Sequence, residues 1–146
     1  MSVKIEVILK EIQCRRSTGD LYPESGFELE IRGGLGVSVG TTQYGPGNRE
    51  SHTLFRKANN EGIEVTMATP ITLNISKQLE VRPNEFVWVG GVLMEEDIWS
   101  EDDSLGDNRP NISFDVFNNM SGPFEKTITF LDTDQIIAVI YEFRRI

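Results

Sequence analysis

The sequence predicts an all-β protein, an antiparallel β-sandwich of about eight strands. Three observations lead there. Apolar residues recur with a period of two in almost every segment, as half-buried strands require. The apolar segments follow one another every 8 to 15 residues or so, with Gly, Asn, Asp and Pro as turn punctuation between them. Few stretches hold a helical period over the roughly ten residues that a helix needs.

Val3, Ile5, Val7 and Leu9 alternate with Lys4, Glu6 and Ile8, which gives a first strand running to about Cys14. Phe27, Leu29 and Ile31 alternate with Glu28, Glu30 and Arg32, and Val37 and Val39 follow. Gly33-Gly34-Leu35-Gly36 precedes a strand pattern and not a helix, which argues against a dinucleotide or phosphate loop. A turn-rich stretch covers Tyr44 to Asn48, and Leu54 and Phe55 mark a short strand stopped by Asn59-Asn60-Glu61-Gly62. Ile63, Val65 and Met67 alternate again, and Pro70 separates them from Ile71, Leu73 and Ile75. Ser76 to Val81 has room for one helical turn. Phe86 to Met94 is the most apolar run and reads as a central strand, with Trp88 in the core and Gly90-Gly91 marking a bulge or a close backbone contact. Ile112, Phe114 and Val116 form a further strand, as do Ile128 and Phe130, and the chain closes on Ile137, Val139, Tyr141 and Phe143. The sets Phe27/Leu29/Ile31, Ile63/Val65/Met67 and Val139/Tyr141/Phe143 are expected to face one shared core. Long loops are expected at 15–25, 43–51 and 95–110.

At 146 residues, the chain is expected to be a single domain over 1–146. With 38% hydrophobic and 25% charged residues the composition is that of a globular protein. No apolar run approaches the roughly 18 residues that would span a bilayer, so no transmembrane segment is expected. The opening Met-Ser-Val-Lys-Ile-Glu has no apolar stretch of signal-peptide type, so the expected location is cytoplasmic as encoded, with a non-Sec export route left open. One cysteine, Cys14, excludes an internal disulfide framework and a thiolate zinc cluster. Although Arg15 and Arg16 follow it, Cys14 at a strand end reads as core filling. One histidine, His52, offers no set of nucleophile and orienting group, so no enzyme is expected. A net charge of −9 argues against nucleic acid as a partner. A binder fits better than a catalyst.

The charge is unevenly placed. Residues 95–107 carry seven carboxylates and no Lys or Arg, while the remaining 16 acids face 14 bases. A solvated acidic loop is the plain reading of such a run. The sharper reading is a calcium site, because calcium takes six to eight oxygen ligands from carboxylates and carbonyls on adaptable backbone. A strand ending at Met94 and opening into Glu95, Asp97 and Asp103 supplies such groups. The spacing is not that of an EF-hand: from Asp97, Asp102 stands where the loop glycine belongs and Asn108 where the terminal Glu belongs. No imidazole or thiolate lies near in sequence, which argues against zinc.

Glu95-x-Asp97-x-x-Ser100-x-x-Asp103-x-x-Gly106 resembles the third calcium loop of C-two domains, the calcium- and phospholipid-binding β-sandwiches of signalling and membrane-trafficking proteins. In that loop the family runs Asp-x-Asp-x-x-Ser-x-x-Asp-x-x-Gly, so Glu95 replaces the first Asp. Trp99 resembles the loop-tip residue that in the family is often a large apolar group inserted into lipid, and Ile98 precedes it. Upstream, Asp20 and Ser25 before the Phe27-Glu28-Leu29 strand resemble the family's first calcium loop. There the sequence departs, since Gly26 occupies the place of the second acidic ligand and the Pro-Tyr pair is missing. The resemblance implies a C-two-like sandwich with loops 15–25 and 95–107 at one end. It implies calcium held weakly by Asp20, Glu95, Asp97, Ser100 and Asp103, with Glu24 or Glu28 as substitutes for the lost acid. It also implies a lipid or protein surface engaged by Ile98 and Trp99. Two alternatives stand beside it. One is a metal-free structural or assembly domain of a larger complex. The other is a calcium-dependent carbohydrate binder, with Tyr22, Tyr44 and Trp88 as its aromatic platform.

Overall fold

The computed structural model describes residues 1–17, 28–42, 46–96, 103–132 and 135–146. Among these, ten strands and one short helix form: β1 (Val3–Ser17), β2 (Glu28–Gly40), β3 (Glu50–Lys57), β4 (Ile63–Thr66), β5 (Ile71–Val81), β6 (Phe86–Glu95), β7 (Asp103–Asn108), β8 (Asn111–Ser113), α1 (Phe114–Asn119), β9 (Phe124–Asp132) and β10 (Gln135–Arg145). Two antiparallel sheets result. One has the order β5-β1-β10-β9, and the other β3-β2-β6-β7, with β4 added to β2 and β8 to β6.

The expected sandwich is present, and its strands are longer and more numerous than the sequence suggested. Val3, Ile5, Val7 and Leu9 face inward from β1, and a register shift between Leu9 and Glu11 then brings Ile12 and Cys14 onto the same buried face. Without that extra residue the alternation would carry Ile12 to solvent. The segment 76–81, allowed a helical turn by its sequence, is the second half of β5. The run Ile112, Phe114, Val116 is not one strand. Ile112 lies in β8, and α1 then buries Phe114 and Phe117, three residues apart on one helical face, leaving Val116 46% exposed. Phe117 sits 6.0 Å from Phe124 and 5.6 Å from Phe143 between ring centroids, so the helix plugs the sandwich end with aromatic area. The long loop placed at 95–110 is shorter than expected, since β7 occupies 103–108 with Leu105 buried.

The predicted core sets are nearly intact. Leu29, Ile31, Val65, Val139, Tyr141 and Phe143 are all buried in one cluster, and Ile63 packs against it. Met67 is 54% exposed because it lies beyond the end of β4, and Phe27 is outside the described residues. Trp88 is buried, yet it does not belong to the core cluster. Val87 and Val89 take the inward positions of β6, which sends Trp88 to the opposite face of the sheet.

Hydrogen bonds tie the two layers together. The Tyr141 hydroxyl, on β10, donates to the Gly36 carbonyl of β2 at 2.9 Å and accepts the Gly90 N–H of β6 at 3.2 Å. Burial pushes this phenol far above its ordinary value, a shift that the Gly90 bond only partly opposes, so it stays protonated and able to donate. At one end of the sandwich, Arg49 Nε and Nη2 donate to the Glu85 carboxylate at 2.6 and 2.9 Å, and Nη2 also reaches the Glu80 carbonyl of β5 at 2.5 Å. Glu85 is 3% exposed and also accepts the Arg82 N–H. Burial alone raises the Glu85 carboxyl, but the bonds from Arg49 and the Arg82 amide outweigh it and leave the group below its ordinary 4.5.

Two outcomes follow from these ties. Tyr141→Phe leaves the Gly36 and Gly90 groups without their shared hydroxyl and is expected to lower stability by about 1–3 kcal/mol, measurable by chemical denaturation. Because the Glu85 pKa is depressed on folding, its stabilisation is complete above pH 4.5 and is lost as pH falls through the folded value. Glu85→Gln is therefore expected to cost about 3 kcal/mol at pH 7, where it strands the Arg49 charge, and to flatten the acid limb of the stability–pH curve.

Candidate functional site

Strand register determines which loops meet. Ser17 at the end of β1 pairs with Gln135, Glu28 at the start of β2 pairs with Thr66, and Ile31 pairs with Glu95 at the end of β6. Strand ends flanking 18–27, 67–70, 97–102 and 133–134 thus lie at one end of the sandwich, opposite Arg49 and Glu85. The two acid-bearing segments of the sequence leave the sheets at this shared end.

The predicted site residues divide sharply. Asp20, Asp97 and Ser100, and the tip pair Ile98 and Trp99, lie outside the described residues. Asp103 opens β7, and its backbone pairs directly with Glu95, so these two predicted ligands share one rung of the ladder. Glu95 also braces the sandwich, since its Oε2 accepts the Gln135 side-chain N–H at 2.6 Å in a bond that crosses from one sheet to the other. Its neighbour Glu96, which sequence reasoning counted only as charge, is 9% exposed. The Glu96 backbone N–H donates to the Glu30 carbonyl at 2.8 Å, and its Oε2 accepts the Gly62 N–H at 2.6 Å. The other Glu96 oxygen has no hydrogen-bond partner among the described residues. Among the described residues, no group of three or more His, Cys, Asp and Glu is placed to hold a metal ion. Two apolar side chains stand out at this end: Met67, 54% exposed, and Leu131, 64% exposed and one rung inside the Gln135–Asp132 pair.

A second feature was not anticipated. The outer face of the β3-β2-β6 sheet holds a groove of about 570 Å³. Leu35 and Val37 face the core, so Gly34, Gly36 and Ser38 face out, and Gly36 pairs with Gly90 and Ser38 with Trp88. Side chains are therefore missing where the floor should rise. The glycines are needed for backbone approach as well: a Cβ on Gly91, at φ +155°, would collide with the Gly34 carbonyl. This confirms the close contact read from Gly90-Gly91. Arg32, Arg56, Lys57 and Arg109 line the groove, with no Asp or Glu in the lining among the described residues, although Arg109 pairs with Asp107 at 3.0 Å. Parity along β2 and β6 was the available signal, but the basic residues are scattered in sequence and gave no motif.

The remaining chemistry candidates are structural. Cys14 is buried, and His52 Nε2 lies 2.6 Å from Glu50 Oε1 at a sheet edge. No described helix is long and apolar enough to cross a membrane.

Two antiparallel sheets define the class as a β-sandwich, and its likeness is to the C-two fold. Solved C-two domains superpose on almost the whole chain. The C-two A domain of a plant extended synaptotagmin 1 matches with a TM-score of 0.50 and 9% identity over 98% of this chain and 93% of its own. A fragment of extended synaptotagmin 2 with C-two A and C-two B domains gives 0.51 and 10% identity, over 98% of this chain and 40% of that one. A longer fragment with its SMP domain gives 0.52 and 14%, over 98% and 27%. The chain thus spans less than half of either extended synaptotagmin 2 fragment, and at these identities the likeness is one of fold. No family model matches the sequence, and no curated protein matches it.

Glu95→Ala is expected to cost about 1–3 kcal/mol in metal-free buffer, because it removes the acceptor of the buried Gln135 side chain. A melting curve unchanged by the substitution would remove Glu95 from the structural ties.

Proposed function

We propose that this chain is a non-catalytic binding module whose loop end takes calcium weakly and, with calcium bound, engages a lipid or protein surface. The observation that carries the reading is the register that sets the ends of β2, β6 and β7 side by side, with the Gln135–Glu95 bond holding the end of the β1/β10 pair across from them. It allows Asp20 from one segment, and Glu95, Asp97, Ser100 and Asp103 from the other, to serve one ion. The donor chemistry suits calcium: carboxylates and a hydroxyl are hard oxygen donors, with no nitrogen or sulfur among them. Gly26 stands where the fold family places an acid, so the affinity belongs at the weak end of natural sites, on the order of 10⁻⁴ to 10⁻³ M.

The role of the metal is electrostatic. Seven carboxylates in 13 residues repel an anionic leaflet or an acidic partner. A bound divalent cation inverts that local field and lets Met67 and Leu131, exposed at this end, meet a surface together with the tip pair Ile98 and Trp99 that the sequence suggests. No step of covalent chemistry is involved.

Melting curves in calcium, magnesium and chelator test this. At free calcium about 100 times the dissociation constant the folded state gains roughly 2.7 kcal/mol, a rise of several degrees that chelator reverses. Magnesium is expected to do much less, since it demands tight octahedral geometry. Asp97→Asn is expected to abolish the calcium-specific part. Equal melting temperatures in all three buffers would leave the acidic segment as a solvated edge and favour a metal-free structural domain.

A further inference from the structure

We infer that Gln135, the first residue of β10, belongs to the cation site at the loop end: its side-chain carbonyl is a calcium ligand, and its amide N–H positions Glu95. This rests on the calcium reading above and extends it to the opposite sheet. An unanswered acceptor is the first ground. Among the described residues three buried side-chain polar atoms lack a hydrogen-bond partner, and two of them, Gln135 Oε1 and Glu96 Oε1, are oxygens at this end of the sandwich. Gln135 is 9% exposed, and a folded protein rarely leaves so buried an acceptor without a donor or an ion. Its Nε2 donates to Glu95 Oε2 at 2.6 Å. Oε1 shares a carbon with that nitrogen, so the unanswered oxygen lies beside the Glu95 carboxylate.

The sequence at this end is the second ground. The segments 18–27, 67–70, 97–102 and 133–134, which leave the sheets here, contain six carboxylates and neither Lys nor Arg. They supply no positive charge to answer an amide oxygen and a carboxylate together, and an ion does. Calcium takes amide carbonyls as well as carboxylates and tolerates irregular shells, so the oxygen type fits it. A lysine or arginine of a partner would need a channel to so buried a residue, whereas a bare ion would not. The Gln135 N–H has a matching role. Hydrogen bonds from neighbouring groups hold a ligating carboxylate in orientation, and losing one commonly weakens a metal site about 10–100-fold. Register adds a coupling. Gln135 pairs with Ser17 of β1 and Asp132 of β9, while Glu95 pairs with Ile31 of β2 and Asp103 of β7. An ion held by both side chains ties the ends of the two sheets together, so calcium stabilises the whole sandwich and not the loops alone.

Calcium titration of the wild type, followed by NMR through the Gln135 side-chain NH2, tests this without a substitution. At fixed magnesium and constant ionic strength, these signals are expected to shift saturably, with the same midpoint as the backbone amides of 95–107. Gln135→Met keeps the length of the side chain but removes both the oxygen and the N–H, and it is expected to weaken calcium about tenfold or more. Gln135→Glu restores an oxygen and adds a charge. It is expected to melt lower than the wild type in chelator, through repulsion of Glu95, yet to bind calcium at least as tightly as the wild type. A residue that only braces the sheets would lower both melting temperatures and leave the calcium midpoint unchanged, and that result would overturn the inference. Should Gln135→Met fail to fold, Gln135→Glu and the wild-type signals decide. Saturable shifts in 95–107 with silent Gln135 NH2 signals would overturn the role of Gln135 and leave the loop reading standing. No saturable calcium response anywhere would overturn both.

Discussion

The Tyr141 hydroxyl is the point on which the two sheets are registered. It is a polar group inside an apolar interior, and both its bonds go to backbone of the opposite layer, Gly36 and Gly90. A polar group buried at this depth is tolerated only when it is paired, so its two partners hold the sheets at one spacing and one lateral offset. The same two residues are outward-facing floor positions of the groove. The core therefore braces from beneath the surface that the outer face presents, and a change at Tyr141 acts on both.

Around this centre the sandwich has two unlike ends. At one, Arg49 clasps Glu85 and the β5 backbone, α1 inserts Phe117, and the aromatic side chains of Phe117, Phe124 and Phe143 close the core. At the other, the layers meet through the Glu95–Gln135 bond, with Glu96 held by Gly62 beside it, and the acidic segments depart from there. The first end is packed and charge-paired. The second carries the strand ends that flank both acid-rich segments of the sequence.

The fold was largely legible because burial on one face writes itself into a strand as alternation. Val3 to Leu9, Leu29 and Ile31, and Val139 to Phe143 all read correctly for that reason. Failures came where a local device overrode the period. The shift after Leu9 reset the phase of β1, and Phe114 and Phe117 satisfied a helical spacing inside what looked like alternation. Trp88, assigned to the core from its place in the most apolar strand, is buried, but its parity against Val87 and Val89 puts it on the opposite face of the sheet. The shared end of the two acidic segments was expected from the C-two resemblance and not from the alternation itself. The groove was not, since its floor is made by missing side chains and its cations come from β2, the end of β3 and Arg109, which only the paired sheet brings together.

The central claim is that the loop end is a calcium-responsive binding surface on a C-two-fold scaffold. A backbone-amide NMR titration with calcium tests it most directly, because it reports residue by residue where the ion acts. The account predicts saturable, co-varying shifts of amides in 15–25 and 95–107, Asp20, Asp97 and Asp103 among them, with Gly34, Gly36 and Gly90 unmoved. Shifts that fail to saturate, or that scatter over carboxylates throughout the surface, would contradict it.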